Sequence, residues 1–255
     1  MILAITIENT NTIVGCFKEK ELLFVESIST NHTRTELEYV MSIHCMFDIH
    51  GYKIADVEGA IVSSVVPPVT NVLNAAVKRL IGKDALVIGP GVKTGLNIAT
   101  DNPAQVGSDL VANAVSGIMQ YEAPMIIVNM GSATTFSVID DRKHYIGGMI
   151  FPGLKMSSDS LTKGTAQLPG ISLEKPKKVI GSNTIESMKS GLIYGTASLI
   201  DGCISKIEKE LKKPVKTIVA TGANAKYILP YCEKKMNLND NLLLEGLRFI
   251  YEKNV

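Results

Sequence analysis

Two stretches decide the fold of this chain: residues 2–17, ILAITIENTNTIVGCF, and residues 125–139, MIIVNMGSATTFSVI. Each begins with an apolar run that predicts a buried strand, passes through a small polar turn and enters a second β-rich run. When the two are superimposed, the paired positions are Thr6 with Asn129, Glu8 with Gly131, and Thr12 with Thr135. Two unrelated α/β domains could both begin with a hairpin, but the matched turn chemistry favours a duplication.

The segments around these hairpins alternate between strand and helix patterns. Strands are predicted at 22–29, 60–66, 145–151 and 217–220, and helices at 33–49, 69–81, 104–121, 183–211 and 241–252. The helix at 33–49 carries a capping-box pattern, Thr33 followed by Glu36 three residues later. We therefore expect two α/β domains, residues 1–115 and residues 116–255.

Composition excludes several classes of function. The 255 residues contain 26 Lys and Arg against 25 Asp and Glu, a net charge of +1, which argues against a nucleic-acid surface and a polybasic membrane anchor. The apolar N-terminal run is too short to span a membrane. The four cysteines are too widely spaced for a CxxC motif, which favours reduced thiols and a cytoplasmic protein.

The polar turns and one acidic residue are the candidates for chemistry. A strand, a small polar turn and a second strand can surround a phosphate with backbone N–H groups and hydroxyls, although a hairpin without a ligand is commoner. The turns are at 8–12 and 131–135. Asp109, at the start of a helix, could accept a proton from a substrate hydroxyl. It could equally be a first-turn acid stabilised by the helix dipole.

Several motifs occur in an order that identifies a family. They are Glu8-Asn9-Thr10-Asn11-Thr12, Ser63-Ser64-Val65-Val66-Pro67, and the segments 94–98, 101–109, 131–135, 147–153, 183–191 and 244–247. Over essentially its whole length the chain resembles the type III pantothenate kinases. The resemblance implies an α/β, duplicated ribonuclease-H-like (actin-like ATPase) fold with two domains around a central cleft. It also implies a homodimer that phosphorylates pantothenate with ATP, the first step of coenzyme A synthesis, using Mg²⁺ and K⁺.

The resemblance assigns roles to particular residues. Asp109 matches the catalytic base, and Asn129 matches the position that binds the monovalent cation. The ATP-binding positions are Thr6, Asn9, Thr10, Asn11, Thr12 and Ser132. The substrate-binding positions are Thr100, Gly107, Ser108, Leu110 and Thr184.

Six positions depart from the family's pattern. The family has Asp where this chain has Thr6 and Asn129, Gly at Glu8, an aromatic residue at Thr100, and Arg at Leu110 and at Gly164. The lost carboxylates weaken a cation site, because a full negative charge is replaced by neutral oxygens. Two like charges about 4 Å apart repel by roughly 4 kcal/mol at an effective dielectric near 20, so a charged Glu8 beside phosphates opposes ATP binding. Leu110 removes a guanidinium that could hold the substrate carboxylate.

These departures leave three functional hypotheses. The first is a catalytically impaired homologue that acts as partner subunit of an intact paralogue. In the second, the chain is an active pantothenate kinase with rearranged metal ligands, because Glu8 lies on the same strand face as Thr6 and could replace the lost acid. The third is a non-catalytic regulator that senses a ligand. None involves a nucleic acid or a membrane.

Overall fold

The computed structural model describes residues 1–255, which form two compact units. The first unit comprises Met1–Leu96, Asp101–Met119 and Asn241–Val255, and the second comprises Asn97–Thr100 and Gln120–Asp240. The expected second domain, 116–255, included the C-terminal segment. In the structure that segment packs with the first unit, because it covers one face of the first sheet.

The first unit is a five-stranded sheet with helices on both faces. Its elements are β1 (Ile2–Ile7), β2 (Asn11–Lys18), β3 (Glu21–Ser29), α1 (Glu36–His50), β4 (Gly59–Ser64), α2 (Pro67–Ile81), β5 (Leu86–Val87), α3 (Ser108–Gln120) and α7 (Leu242–Glu252). The strand order is β3-β2-β1-β4-β5. The apolar N-terminal run is a buried strand, as predicted. It lies at the centre of the sheet, because β1 pairs antiparallel with β2 and parallel with β4.

Successive residues of β1 point to opposite faces of this sheet. Leu3, Ile5 and Ile7 belong to a core that includes Tyr39 of α1 and Leu73 of α2. The other face is covered by α7, the C-terminal helix. A Cβ on Gly15 in β2 would lie 2.8 Å from Leu244 Cδ1, so the absence of a side chain at Gly15 lets α7 approach the sheet.

Helix α1 begins two residues later than the sequence pattern indicated. The N-cap is Thr35, whose N–H donates to Glu38 Oε2 at 2.7 Å while its own hydroxyl accepts from the Glu38 N–H at 3.4 Å. The predicted cap, Thr33, instead donates its N–H and its hydroxyl to Asn31 Oδ1, at 3.0 and 2.9 Å. The prediction was wrong because both threonines precede a Glu by three residues, and the Asn31 turn keeps Thr33 outside the helix.

The predicted helix 104–121 is divided. Pro103–Gln105 forms a short 3₁₀ turn, and α3 begins only at Ser108. The Val111 N–H donates to the Gly107 carbonyl at 3.0 Å, which closes the first turn of α3. Asp109 therefore lies in the first helical turn.

The second unit repeats the topology of the first. Its elements are β6 (Asn97–Ile98), β7 (Met125–Met130), β8 (Ala133–Ile139), β9 (His144–Pro152), α4 (Leu154–Gly164), α5 (Thr184–Leu211), β10 (Thr217–Thr221), α6 (Ala225–Ile228) and β11 (Asn237–Leu238). The sheet order is β11-β10-β7-β8-β9-β6. Apart from the added edge strand β6, this is the first sheet again, which supports the duplication.

The register corrects one detail of the predicted repeat. Thr6 pairs with Ile13 across the first hairpin, whereas Asn129 pairs with Thr135 across the second. The second turn is therefore one residue shorter, and Thr135 takes the place of Ile13 and not of Thr12. Superimposing the sequences without a gap could not reveal this, because both hairpins have a Thr near that point.

No helix combines the length and the apolar character needed to cross a membrane. All four cysteines are free thiols.

Candidate functional site

The turn between β1 and β2 rests on a hydrogen-bonded base. The Glu8 N–H donates to the Asn11 carbonyl at 2.9 Å, and the tip residues Asn9 and Thr10 are exposed. Thr12 is fully buried, and its hydroxyl lies 3.0 Å from the hydroxyl of Thr30. The predicted ATP-binding residues 9–12 thus form a turn whose tip is exposed and whose base is held by hydrogen bonds.

Two serines join this sheet to the start of α3. The Ser63 and Ser108 hydroxyl oxygens are 2.8 Å apart, and the Ser108 hydroxyl donates to the Ser64 carbonyl at 3.2 Å. Because Ser108 has one hydroxyl proton, Ser63 must be the donor to Ser108. Thr6 pairs with Ser63 on the neighbouring strand. The bonds thus hold the first turn of α3 at the end of the β1 and β4 strands.

The carboxyl of Asp109 folds back over the start of its own helix. A Cβ on Gly107 would lie 2.5 Å from Asp109 Oδ1, so this position has no room for a side chain unless Asp109 moves. Burial raises the pKa of Asp109, and hydrogen bonds from the backbone N–H groups of Leu110 and of Asp109 itself oppose that rise. The result is a carboxyl that is a stronger proton acceptor than an exposed Asp.

Glu8 is a second acid at the same place. Burial raises the pKa of Glu8, and the negative charge of Asp109 raises it further. No cationic side chain contributes to the pKa shift of either carboxyl. The end of β1 and the start of α3 therefore bring together two acids without a counter-charge.

The resemblance implies a divalent metal near this end of β1. The residues here fit such an ion, but its ligand would be Glu8 and not Thr6. Thr6 is 2% exposed and has no charge to offer. The Glu8 carboxylate lies two residues further along and is a hard oxygen ligand of the kind that Mg²⁺ prefers. Glu8 is the residue that would hold the metal here.

The corresponding turn of the second unit lies between β7 and β8. The Gly131 N–H donates to the Ala133 carbonyl at 3.1 Å, and the Gly153 N–H donates to the Ser132 carbonyl at 3.2 Å. Asn224, after β10, donates its side-chain amide to the Gly131 carbonyl at 3.2 Å. Ser132, a predicted ATP-binding residue, is partly buried at the tip of this braced turn.

Asn129, the predicted cation position, is surrounded by neutral polar groups. It pairs with Thr135 on one neighbouring strand and with Thr221 on the other, and side chains at paired positions share a face of the sheet. The Thr135 hydroxyl is buried and has no hydrogen-bond partner. Neutral oxygens of this kind fit a monovalent cation, and Asn129, Thr135 and Thr221 would hold it, but they lack the charge that a carboxylate would supply.

The remaining predicted substrate residues are distributed over both units. Gly107, Ser108 and Leu110 lie at the start of α3, beside Asp109. Thr100 belongs to the second unit, where its hydroxyl is buried and unpaired. Thr184 is exposed at the first position of α5, after the N-cap Asn183.

Sequence reasoning missed a cavity of about 470 Å³ in the second unit. It adjoins Asn224, which braces the Gly131 turn. The lining residues are Leu154, Leu173, Glu174, Lys175, Ile193, Asn224, Lys226, Tyr227, Pro230 and Tyr231. The small-residue turn at 221–224 was the available signal, but nothing local indicated which side chains would converge on it.

Solved structures with the same architecture confirm the predicted fold class. A Campylobacter jejuni protein described as a Baf family transcriptional activator has a TM-score of 0.61 at 16% identity, over 99% of this chain and 98% of that one. The activator of the 2-hydroxyisocaproyl-CoA dehydratase from Clostridium difficile, with bound ADPNP, has a TM-score of 0.56 at 12% identity, over 98% and 93%. These likenesses, with the duplicated topology, show the ribonuclease-H-like, actin-like fold.

Sequence comparisons identify the family. A model of the type III pantothenate kinase family matches residues 2–206. A type III pantothenate kinase of Halalkalibacterium halodurans is 41% identical over 255 residues, covering 100% of both chains. One from Exiguobacterium sp. is 42% identical over 254 residues, covering 100% of this chain and 99% of that one. The chain therefore belongs to the type III pantothenate kinase family.

Proposed function

We propose that this type III pantothenate kinase homologue of coenzyme A biosynthesis phosphorylates pantothenate only slowly by itself and serves in the cytoplasm as partner subunit of an intact paralogue. The observation that carries the proposal is the pair of acids, Glu8 and Asp109, that no cationic side chain offsets. A phosphate chain brought to the 9–12 turn adds further negative charge beside them. Like charges at close range in a partly buried site oppose binding.

The residues present can still perform parts of the reaction. Asp109 accepts the proton of the attacking pantothenate hydroxyl, a role favoured by its raised pKa. Each of the polar turns, 9–12 in the first unit and 131–135 in the second, offers backbone N–H groups suited to phosphate oxygens. Leu110 offers no cation to the substrate carboxylate, which reduces affinity for pantothenate.

We assign the cavity of the second unit to the nucleotide base. Its lining combines two tyrosines, Tyr227 and Tyr231, with apolar and charged side chains, a mixture suited to a flat heteroaromatic ring. The Clostridium difficile activator of the same fold is described with bound ADPNP. That likeness supports a nucleotide in this fold, and the cavity borders the turn that Asn224 braces.

A second candidate function is an active kinase in which Glu8 has replaced the missing acid of position 6. It is favoured by the two-residue spacing of Thr6 and Glu8, which puts them on one side if the alternation of β1 (Ile2–Ile7) continues for one more residue. A cation at Glu8 would then remove the repulsion on which the first proposal depends.

Substitution of Glu8 separates the two candidates, because they predict opposite effects. Purified wild type, Glu8→Gly and Glu8→Gln are compared for pantothenate-dependent ADP formation with Mg²⁺ and K⁺. Glu21→Gln, at an exposed position in β3, is the matched control. If Glu8 obstructs phosphate binding, both substitutions raise turnover. If Glu8 is the metal ligand, both abolish it.

Two further results bear on the partner-subunit role. Robust turnover by the wild-type chain alone would contradict it. Co-purification with an intact paralogue, and a rise in turnover on mixing, would support it. Thermal stabilisation by ATP or pantothenate with neither turnover nor a partner would instead favour a ligand-sensing regulator.

A further inference from the structure

The segment between β3 and α1 is hydrogen-bonded to the 9–12 turn. The Thr30 N–H donates to the Thr10 carbonyl at 2.9 Å, and the hydroxyls of Thr30 and Thr12 are 3.0 Å apart. The chain then turns at Asn31, which accepts from Thr33, and reaches Arg34 immediately before the α1 N-cap. Thr30 is therefore held to the turn by two contacts, and Arg34 follows it by four residues.

Arg34 lies over an aromatic ring that connects it to this turn. Its guanidinium carbon is 5.0 Å from the centre of the Tyr39 ring, a cation–π distance. Tyr39 is fully buried. Burial raises the pKa of Tyr39, while the nearby charge of Arg34 and the Thr12 hydroxyl lower it. The Tyr39 ring thus has Arg34 on its face and Thr12 near its hydroxyl.

Arg34 forms no ion pair, although, together with the hydrogen bonds from Thr35, its charge helps to lower the pKa of the nearby Glu38 carboxyl. Its guanidinium donates to the Ser42 hydroxyl at 2.5 Å, and none of the ion pairs of the chain includes it. The nearest acid in sequence, Glu36, is paired with Arg79 instead. The next acid, Glu38, is occupied by the Thr35 cap.

The other two arginines of the first unit are both paired. Arg79 contacts Glu36 at 3.2 Å, and Arg248 contacts Glu252 at 2.6 Å within α7. Arg34 is therefore the arginine of this unit that forms no ion pair.

We propose that Arg34 is an anion-binding residue of the first unit, which contacts a phosphate oxygen of the polyphosphate chain held by the 9–12 turn. A guanidinium with free donors in a partly buried site is suited to this contact, since it can offer two parallel N–H groups to one phosphate. The ligand class rests on the ATP use proposed above.

Binding of two probes, ATP with Mg²⁺ and inorganic tripolyphosphate, tests this assignment. Calorimetric affinities and thermal shifts are measured for wild type, Arg34→Met, Arg34→Lys and Arg79→Met. Methionine keeps the length that packs on Tyr39, and lysine keeps the charge without the fork. Arg79→Met is the matched control, because Arg79 is exposed and paired with Glu36.

We expect Arg34→Met to lower the affinity for both anions by about 10- to 100-fold, as for the loss of a charge-assisted hydrogen bond. Arg34→Lys should lose less affinity, and Arg79→Met should bind both anions as tightly as wild type does. Equal affinities of wild type and Arg34→Met for both anions would overturn the assignment, as would a wild type that binds neither.

The two probes also separate this assignment from the proposed function. A wild type that binds tripolyphosphate through Arg34 but does not bind ATP would contradict the nucleotide function and still support Arg34 as an anion-binding residue. Folding of each variant is checked by its unfolding midpoint without ligand. If Arg34→Met unfolds early, Ser42→Ala replaces it: release of the guanidinium from Ser42 should change anion affinity, and an unchanged affinity would count against the assignment.

Discussion

Replacing Gly246 with alanine tests the packing of the C-terminal helix against the helix that carries Asp109. Gly246 is a buried residue of α7, and a Cβ built there would lie 1.9 Å from the carbonyl oxygen of Ala112 in α3 and 2.6 Å from its carbonyl carbon. Close carbon-to-oxygen contacts in proteins are about 3.3–3.6 Å. The two helices must therefore separate by about 1.5 Å, because neither obstructing atom belongs to a flexible side chain.

The size of the effect follows from this overlap. Inserting a methyl group into a packed interior costs about 1–3 kcal/mol, and an obstruction by backbone puts this site at the upper end. Alanine recovers about 0.5–1 kcal/mol, since glycine is a poor helix former. The net loss is about 2 kcal/mol, which lowers the unfolding midpoint by roughly 4–8 °C for a chain of this size. Because Asp109 precedes Ala112 by three residues on α3, the displacement should also reduce any pantothenate-dependent turnover.

Thermal and urea unfolding of wild type, Gly246→Ala and Gly202→Ala measure this loss. Gly202 is an exposed glycine within α5 with no atom near its Cβ position, so its substitution should stabilise the protein by about 0.5–1 kcal/mol. A Gly246→Ala variant as stable as wild type would refute the close contact between α7 and α3.

Two further predictions concern the start of α1 and the acids of the first unit. Thr35→Ala should reduce the free energy of unfolding by about 1 kcal/mol, whereas Thr33→Ala should have a smaller effect; urea unfolding would contradict the observed cap if the order were reversed. Glu8→Gln should change the pH dependence of stability. Because the pKa of Glu8 is raised above its ordinary value of 4.5, the folded state binds that proton more tightly than the unfolded state. Wild type should thus lose stability, relative to Glu8→Gln, as the pH rises from 4.5 through the raised value, and parallel unfolding curves would contradict this.

Local sequence patterns predicted most elements that build the two sheets. The alternating and apolar runs identified β1, β7 and β9, and the long periodic segment identified α5 with its Asn183 cap. These predictions succeeded because each depends on neighbouring residues only. The predicted start of α1 was wrong for the same reason. Thr33 with Glu36 and Thr35 with Glu38 both fit the capping-box pattern, and the Asn31 turn decides which threonine caps the helix.

The candidate site was predictable in its parts but not in its arrangement. The polar turns and Asp109 could be named from their residue types. The meeting of Glu8 with Asp109 could not, because it depends on how the Ser63 and Ser108 bond holds α3 against the strands. The cavity by Asn224 was missed because its lining comes from several separate segments of the second unit.

By itself the sequence determined that two similar strand-turn-strand units recur, where the apolar strands lie, and to which family the chain belongs. Only the tertiary structure decided that α7 completes the first unit, that the second hairpin is one residue shorter, and that two acids share one site without a counter-charge. The physical reason is that periodicity shows which face of an element is buried, whereas the element that covers that face is chosen by packing between residues far apart in the chain.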